Sequence, residues 1–387
     1  MEFRDLKRQY EKLKSSIDGQ INTVIDSAHF ISGEQVKELE AALASYTGSK
    51  HCITVANGTD AITIALLANG VGTGDAVFVP DFTFFSSGEC PAAVGATPIF
   101  VDVLPAAYNI DPIALTVAIE KIINEGVLKP RAVVAVDLFG QPFDYDSIRS
   151  ICDRYNLLLL EDAAQGFGGR FTTQKGEEKR ACTLGDISTT SFFPAKPLGC
   201  YGDGGAIFTD DDDIALLCRS IAIHGKDMKH PDDPNAKYNN ARIGMNSRLD
   251  TLQAGILLAK LKAFQEFELE DINKVAQLYT EQLKETELTL PLSNDSYYSS
   301  WAQYTVQLPL NVDRTTIQAS LRAVGIPTNI YYIKPMHKQG AFNNTRSAIA
   351  DCPVTEELCE RVLCLPIHPY LTEDEVVLVT TKLKELI

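Results

Sequence analysis

Apolar residues fall into short runs that alternate with helical patterns from residue 51 to about residue 250. Runs of strand length occur at 51–55, 76–80, 97–103, 131–137 and 157–161. Continuous apolar runs of this length are typical of strands that are buried on both faces of a parallel sheet. The segments between them repeat their apolar residues at helical spacing. The pattern therefore predicts an α/β fold in which a mostly parallel sheet lies between helices.

The pattern changes after residue 250. Apolar residues at helical spacing predict a long amphipathic helix that leaves the large domain, at Leu249, Leu252, Ile256, Leu257, Leu261 and Phe264. Beyond this helix, the pattern predicts a strand at 304–308, a helix at 314–324 and a strand at 328–332. We therefore expect a large domain at 13–250 and a smaller C-terminal α/β domain at 251–387, with residues 1–12 packed nearby.

Composition narrows the class of protein. A formal net charge of −16 argues against a nucleic-acid partner, because phosphate backbones bind basic surfaces. The sequence contains no apolar run long enough to cross a bilayer, and its charged start does not resemble a signal peptide. The nine cysteines are scattered, which favours reduced thiols and predicts no metal site. We expect a cytoplasmic protein without a membrane partner.

A single lysine stands in an unusual loop. Lys196 lies between Pro194 and Pro197, which restrict the backbone, and is followed by closely spaced glycines up to Gly205. A lysine that is partly removed from water loses basicity and can form a Schiff base with pyridoxal phosphate. An ordinary surface lysine beside a tight turn is the alternative interpretation of this loop.

A carboxylate follows the apolar run at 157–160. Asp162 is thus predicted at the carboxyl end of a central strand, where open α/β sheets bind their ligands. A buried carboxylate there needs a cation, and a protonated pyridine ring is one. A helix N-cap is the alternative role for Asp162.

A turn and an aromatic residue complete a possible cofactor site. Gly58, Thr59 and Asp60 open a helical pattern after a short strand, and amides at a helix N-terminus can hold a phosphate. Phe84 follows the strand at 76–80 and could cover a flat ring, although a core position is more common for phenylalanine.

These motifs together resemble the DegT/DnrJ/EryC1/StrS family of pyridoxal-phosphate-dependent sugar aminotransferases. The matching segments occur in order along nearly the whole chain, at 3–6, 30–33, 57–60, 80–84, 161–165, 191–196, 224–225, 244–253 and 365–370. The resemblance implies the aminotransferase fold known as fold type I, with pyridoxal phosphate as the cofactor.

The resemblance also implies roles for individual residues. Lys196 corresponds to the Schiff-base lysine and Asp162 to the partner of the pyridine nitrogen. Gln165 resembles the residue near the ring hydroxyl, and Phe84 the stacking aromatic. In the family, the freed lysine moves the proton between the amino donor and the cofactor.

Phosphate binding is implied for a second group of residues. Gly58, Thr59 and Ser191 match phosphate ligands of the family. Asn246 matches an asparagine that reaches the cofactor of the neighbouring subunit, which implies a homodimer with shared active sites.

The substrate is expected from a finer resemblance. The segments at 197–208, 246–254 and 368–371 are most similar to the branch that acts on UDP-2-acetamido-2-deoxy-3-oxo-glucuronate, with L-glutamate as the amino donor, for bacterial surface polysaccharide. Arg248 is the expected partner of the sugar carboxylate, with a structural ion pair as its alternative role. Tyr331 and Tyr332 stand where many relatives have His-Tyr, in a segment expected to line the sugar pocket.

A local cluster of cations must offset the acidic surface if an anionic nucleotide sugar binds. The candidates are Lys226, Arg242, Arg248, Lys334 and His337. Residues 227–240 have no clear counterpart in the family and are either a substrate-covering loop or a surface excursion. Two alternative functions are open: a dTDP- or UDP-linked 3-keto or 4-keto-6-deoxyhexose aminotransferase, and a regulator that binds pyridoxal phosphate without turnover.

Overall fold

The computed structural model describes residues 1–228, 239–348 and 350–387. Its centre is a seven-stranded sheet in the order β1-β9-β8-β5-β4-β2-β3. The strands are β1 His51–Val55, β2 Asp75–Pro80, β3 Thr97–Val101, β4 Lys129–Val136, β5 Leu158–Asp162, β6 Arg170–Thr172, β7 Glu178–Arg180, β8 Ile187–Ser191, β9 Gly205–Thr209, β10 Tyr297–Tyr298, β11 Tyr304–Gln307 and β12 Val362–Leu365. Most of the segment at 227–240 lies outside the described residues, so its predicted covering role stays open.

The α-helices alternate with these strands in the first two thirds of the chain and dominate the last third. They are α1 Leu6–Ser27, α2 Glu34–Thr47, α3 Gly58–Ala68, α4 Phe85–Ala93, α5 Pro112–Glu125, α6 Tyr145–Tyr155, α7 Asp212–Ala222, α8 Thr251–Ala263, α9 Leu269–Leu283, α10 Arg314–Ala323, α11 Pro353–Arg361 and α12 Glu373–Lys384. Among the described helices, none is both long and apolar enough to cross a bilayer.

Parallel pairing brings the carboxyl ends of the central strands to one edge of the sheet. β3, β2, β4, β5 and β8 pair in parallel, whereas β9 runs antiparallel to both β8 and β1. The carboxyl ends of β2, β4, β5 and β8 therefore open onto the same crevice. The predicted α/β fold with a mostly parallel sheet is confirmed.

Alternate residues of each central strand bury against different helices. In β4, Val133 and Ala135 pack in a core with α5 and α6, whereas Val134 and Val136 pack in a core with α3, α4 and α7. Both faces are apolar, which explains why the central strands were visible as continuous apolar runs.

The helix predicted after residue 250 is longer than the apolar pattern in the sequence indicated. α8 continues through a five-residue π-helical turn, Phe264–Glu268, into α9. The strand predicted at 304–308 and the helix predicted at 314–324 are present as β11 and α10, and β11 pairs with β12.

The strand predicted at 328–332 is wrong. Asn329 alone forms a bridge, to Cys364, and the next residues leave the sheet. They leave the sheet because Tyr332 contacts residues outside it. Its ring lies 5.8 Å from that of Phe82, and its hydroxyl accepts a hydrogen bond from Gln165 Nε2. Contacts with the large domain therefore outweigh the β propensity of this segment.

Charged and polar residues fix the remaining connections. Asp211 caps α7 by accepting hydrogen bonds from the amides of Asp213 and Ile214. Buried Asp102, after β3, accepts hydrogen bonds from the amides of Val354 and Thr355 and thereby ties α11 to the sheet. All nine cysteines lie in the described parts of the chain, where they are buried and unpaired.

The domain limits stay a prediction. α8 begins at the expected boundary, residue 251, whereas α1 runs without a break through the expected boundary after residue 12. α1 packs along α8, which joins the N-terminal segment to the helix that leads into the C-terminal part.

Candidate active site

Asp162 is the last residue of β5 and lies buried at the crevice. Its Oδ2 accepts a hydrogen bond of 2.7 Å from Ser87 Oγ, and its Oδ1 accepts one of 3.1 Å from the amide of Ala164. Burial raises the pKa of Asp162, while these donors and the nearby Lys196 oppose the increase. A turn follows β5, so Asp162 does not cap a helix.

Lys196 lies in the loop after β8, where it is half-buried. Its amide donates to the carbonyl of Phe193, and its own carbonyl accepts a hydrogen bond of 3.0 Å from Arg4 Nη2. Desolvation lowers the pKa of Lys196 to about 8, and the charge of Arg4 adds to this shift while Asp162 opposes it. The amine is thus far easier to deprotonate than that of an ordinary surface lysine.

The N-terminus of α3 lies beside the end of β8. Asn57 caps the helix, its side chain accepting from the amide of Asp60, so that Gly58 and Thr59 are the first two residues of α3. Those amides have no acceptor within the helix and can meet an anion. A Cβ on Gly58 would come within 2.8 Å of Ser191 Cβ, which explains the need for glycine.

Two further predicted residues border the crevice. Phe84 precedes α4 and its side chain is 55% exposed, as a residue that covers a ligand would be. Gln165 is buried, with Oε1 accepting from the amide of Phe139 and Nε2 donating to Tyr332. Tyr331 is half-buried, with its ring 6.4 Å from that of Phe3.

Asn246 and Arg248 are brought together on an exposed segment before α8. Arg248 Nη2 donates a hydrogen bond of 2.8 Å to Asn246 Oδ1. Across the residues that the structure describes, no carboxylate lies within ion-pair distance of Arg248, so the alternative role in a structural ion pair has no support. Of the other candidate cations, Arg242 donates to Ser220, whereas Lys334 is exposed.

His337 differs from its predicted role as a substrate ligand. Its Nδ1 lies 2.6 Å from Asp81 Oδ2, its Nε2 lies 3.3 Å from Glu356 Oε1, and its amide donates to Asp81 Oδ1. Hydrogen bonding to Asp81 raises the pKa of His337. Both ring nitrogens are engaged by carboxylates, so the ring joins the end of β2 to α11.

The same carboxylate also faces a thiol. Ligand atoms of Asp81, His337 and Cys352 lie within 4.8 Å of one another. Two ligand atoms on one zinc ion would lie about 3.4 Å apart, given bonds of about 2.1 Å in a tetrahedron. The 2.6 Å separation of Asp81 and His337 indicates a hydrogen bond shared by the pair instead.

Sequence reasoning missed three residues of the site. Ser87 holds Asp162, Arg4 holds the lysine loop, and Asp81 holds His337. Ser87 and Asp81 belong to the segment after β2 that also supplies Phe84. Their closeness in sequence to Phe84 was therefore a signal that could have identified them. Arg4 lies far from Lys196 in sequence, and no spacing could have linked them.

The residues present fit a phosphate-bearing ring with a basic nitrogen. Asp162 offers a buried carboxylate to the cation, Lys196 offers an amine of lowered pKa to an aldehyde, and Gly58 and Thr59 offer free amides.

A family model for the DegT/DnrJ/EryC1/StrS aminotransferases matches residues 11–384. The chain belongs to this family. The predicted membership, the aminotransferase activity and pyridoxal phosphate as the cofactor are thereby confirmed.

Known proteins of this family are similar over almost their whole length. A UDP-2-acetamido-2-deoxy-3-oxo-D-glucuronate aminotransferase of Pseudomonas aeruginosa is 44% identical, with 96% of both chains covered. A pleiotropic regulatory protein of Geobacillus stearothermophilus is 39% identical, with 98% of this chain and 97% of that one covered.

Solved structures show the same architecture. A family member from Brucella abortus is 41% identical, with a TM-score of 0.93 and 100% and 99% of the two chains covered. A Bacillus subtilis protein with bound cofactor PMP is 30% identical, with a TM-score of 0.84 and 97% and 82% covered. The expected fold type is therefore confirmed.

Replacing Lys196 by alanine should abolish the long-wavelength absorbance that pyridoxal phosphate gives when it is bound to a lysine, because Lys196 supplies the amine whose charge acts on Asp162. Borohydride reduction of the wild-type complex followed by peptide mapping should label the peptide that contains Lys196. Lys260 is the internal control, since its pKa is also lowered to about 8 but it is buried elsewhere. A label on Lys260, or an unchanged spectrum in Lys196→Ala, would contradict the assignment.

The His337 pair should make stability depend on pH. Because the pKa of His337 is raised in the folded state, its contribution is complete below the unfolded value of about 6.5 and is lost as pH rises through the folded value. His337→Gln should therefore lower the free energy of unfolding by about 1 kcal/mol more at about pH 5.5 than at about pH 9. Denaturant titrations measure this, with exposed His29→Gln as the control. Equal losses at both pH values would refute the charged pair.

Proposed function

We propose that this aminotransferase converts UDP-2-acetamido-2-deoxy-3-oxo-glucuronate to its 3-amino sugar, with L-glutamate as the amino donor, for bacterial surface polysaccharide. The carrying observation is Arg248, an exposed arginine that is held by Asn246 and has no acidic partner among the described residues. A guanidinium can bind a sugar carboxylate through two parallel hydrogen bonds. The similarity to the Pseudomonas aeruginosa enzyme supports the same substrate.

Proton transfer is assigned to Lys196. Its amine is neutral in an appreciable fraction of molecules near neutral pH, because desolvation lowers its pKa to about 8. A neutral Nζ would take the proton from the α-carbon of the amino donor and pass it to the cofactor within the first half of the cycle, and would move a proton from the cofactor to the sugar carbon in the second half. The loop between Pro194 and Pro197 holds the amine in place, so that one group serves both directions.

Asp162 and the N-terminus of α3 would hold the cofactor. When bound, pyridoxal phosphate supplies an electron sink that stabilises negative charge at the reacting carbon. Ser87 orients Asp162 with a hydrogen bond of 2.7 Å, while Gly58, Thr59 and Ser191 would receive the phosphate.

The sugar side of the crevice is assigned to Tyr331, Tyr332 and Arg248. Tyr332 lies over Phe82 and meets Gln165, so the segment that failed to form a strand reaches the site. His337 leaves this set, because its ring nitrogens are engaged by Asp81 and Glu356.

A homodimer with shared active sites forms part of the proposal. Asn246 is exposed, so it is free to reach a neighbouring subunit. Exposed apolar side chains lie on the segments beside it, with Ile243 94%, Phe30 47% and Ile31 45% exposed, and Ile31 bridges to Asp250. Exposed apolar side chains on these segments support a protein interface here. A cytoplasmic location is likewise part of the proposal.

A regulator that binds the cofactor without turnover is the second candidate. It is favoured by one observation, the 39% identity to a pleiotropic regulatory protein. A dTDP- or UDP-linked keto-6-deoxyhexose acceptor would use the same cofactor residues, and it would leave Arg248 without a carboxylate to bind.

Purified protein with pyridoxal phosphate and glutamate should aminate the UDP-linked 3-oxo-glucuronate in preference to neutral 3-keto and 4-keto nucleotide sugars. Arg248→Ala should raise KM for the carboxylated sugar about ten-fold or more, because a charge-assisted pair contributes about 1.5–3 kcal/mol. Mass spectrometry of the amino sugar and release of 2-oxoglutarate measure both effects.

Arg322→Ala, an exposed arginine on α10, is the matched control and should leave KM unchanged. If the protein aminates a neutral sugar and Arg248→Ala does not change that reaction, the proposed substrate is wrong. Transfer to none of the acceptors would favour the regulator.

Ile243→Asp should shift the protein from dimer to monomer in sedimentation, because an exposed apolar contact becomes a buried charge at the interface. Asn246→Ala should keep the dimer and weaken retention of the cofactor during dialysis. Ile113→Asp, at a 76% exposed residue on α5, is the control for added charge. A wild-type monomer that is fully active would overturn the shared site.

A further inference from the structure

The carbonyls of the lysine loop are held by the N-terminal segment. Arg4 Nη2 donates hydrogen bonds of 3.0 Å to the carbonyl of Lys196 and 3.3 Å to that of Pro197. The next residue, Asp5, caps α1 by accepting from the amide of Arg8. The position of Arg4 is thus fixed by a long helix that packs on α8.

Arg4 is a charged group in a poorly hydrated place. Desolvation lowers the pKa of Arg4 to about 10, although Glu268 and Tyr370 oppose the shift, so Arg4 stays a cation near neutral pH. Its Nη1 is buried without an acceptor among the described residues. Glu268 is engaged by other donors, because its Oε1 accepts from Gln9 Nε2 and from the hydroxyl of Tyr370. The charge of Arg4 is therefore only partly neutralised.

We propose that Arg4 is a positioning residue for Lys196, which fixes the backbone of the lysine loop and keeps a positive charge beside the amine. This inference rests on the proposed function of Lys196 in proton transfer. Arg4 itself touches neither the reacting atoms nor the substrate in this assignment.

The charges that face the amine of Lys196 explain why the positive charge of Arg4 matters. Asp162, at the end of β5, favours the protonated amine, and Arg4 disfavours it. Lys260 and His368 are the other groups that sense the charge of Arg4, and their pKa values are lowered to about 8 and about 4, mainly by desolvation. Without the guanidinium, desolvation alone would oppose Asp162, and Lys196 would hold its proton to a higher pH.

The test compares two substitutions at Arg4 in the full-length, cofactor-free protein. Arg4→Gln keeps an N–H donor for the carbonyls but removes the charge, whereas Arg4→Lys keeps the charge. The degree of acetylation of Lys196 by limiting acetic anhydride, measured by mass spectrometry across pH, reports the neutral fraction of the amine without needing the cofactor. Arg8→Gln is the matched control, since Arg8 lies in the first turn of α1, four residues after Arg4, but pairs with Glu375.

The midpoint for Lys196 should move to higher pH in Arg4→Gln and stay in place in Arg4→Lys and Arg8→Gln. At about pH 7, labelling of Lys196 in Arg4→Gln should fall roughly three- to ten-fold, as expected for one nearby charge. The rate at which pyridoxal phosphate is captured should fall by the same factor. Circular dichroism checks that each variant is folded, and Arg4→Lys carries the test should Arg4→Gln not fold.

An unchanged midpoint in Arg4→Gln, or a shift in Arg4→Lys as large as that in Arg4→Gln, would overturn the electrostatic role. Failure of the proposed function gives a different result. In that case the labelling midpoints would still respond to Arg4, but the wild-type protein would capture no cofactor or transfer no amine.

Discussion

The site depends on a carboxylate and an amine that are both withdrawn from water and face each other at the end of a parallel sheet. Asp162 is buried because β5 lies between β4 and β8, and its negative charge is retained through the donors Ser87 and Ala164. Lys196 is half-buried and has become a weaker base. Isolated, either charge would be costly in this environment. Together they leave an acid ready for a cationic ring and an amine ready to lose its proton.

The backbone around this pair comes from distant parts of the chain. The segment after β2 supplies Ser87 and Phe84, the loop after β8 supplies Lys196, and residues before α1 clamp that loop through Arg4. The C-terminal part contributes Tyr332, whose hydroxyl accepts from Gln165. The crevice is thus bordered by elements that share only their contact with the sheet. The carboxyl ends of the parallel strands therefore set the positions of these side chains.

Sequence reasoning succeeded where the signal was local. The run at 157–160 predicted a buried strand, and therefore the place of Asp162, because both faces of β5 pack against apolar helices. It failed where a long-range contact decided the outcome. The segment at 328–332 has strand-like residues, but Tyr332 packs on Phe82 and the pairing ends after Asn329. His337 resembled a free cation, although Asp81 and Glu356, distant in sequence, engage both of its nitrogens.

An acidic surface and an anionic substrate are compatible because the field of the net charge has a short range in salt. A net charge of −16 is spread over the whole chain, and in salt its field decays over about 8–10 Å. Arg248 Nη2 donates to Asn246, and no carboxylate among the described residues lies within ion-pair distance of its guanidinium. Under the proposed function, the local placement of Arg248 decides binding, whereas the overall charge decides how slowly an anion approaches. It follows that removing surface acids should change association rates and leave the choice of sugar unaffected.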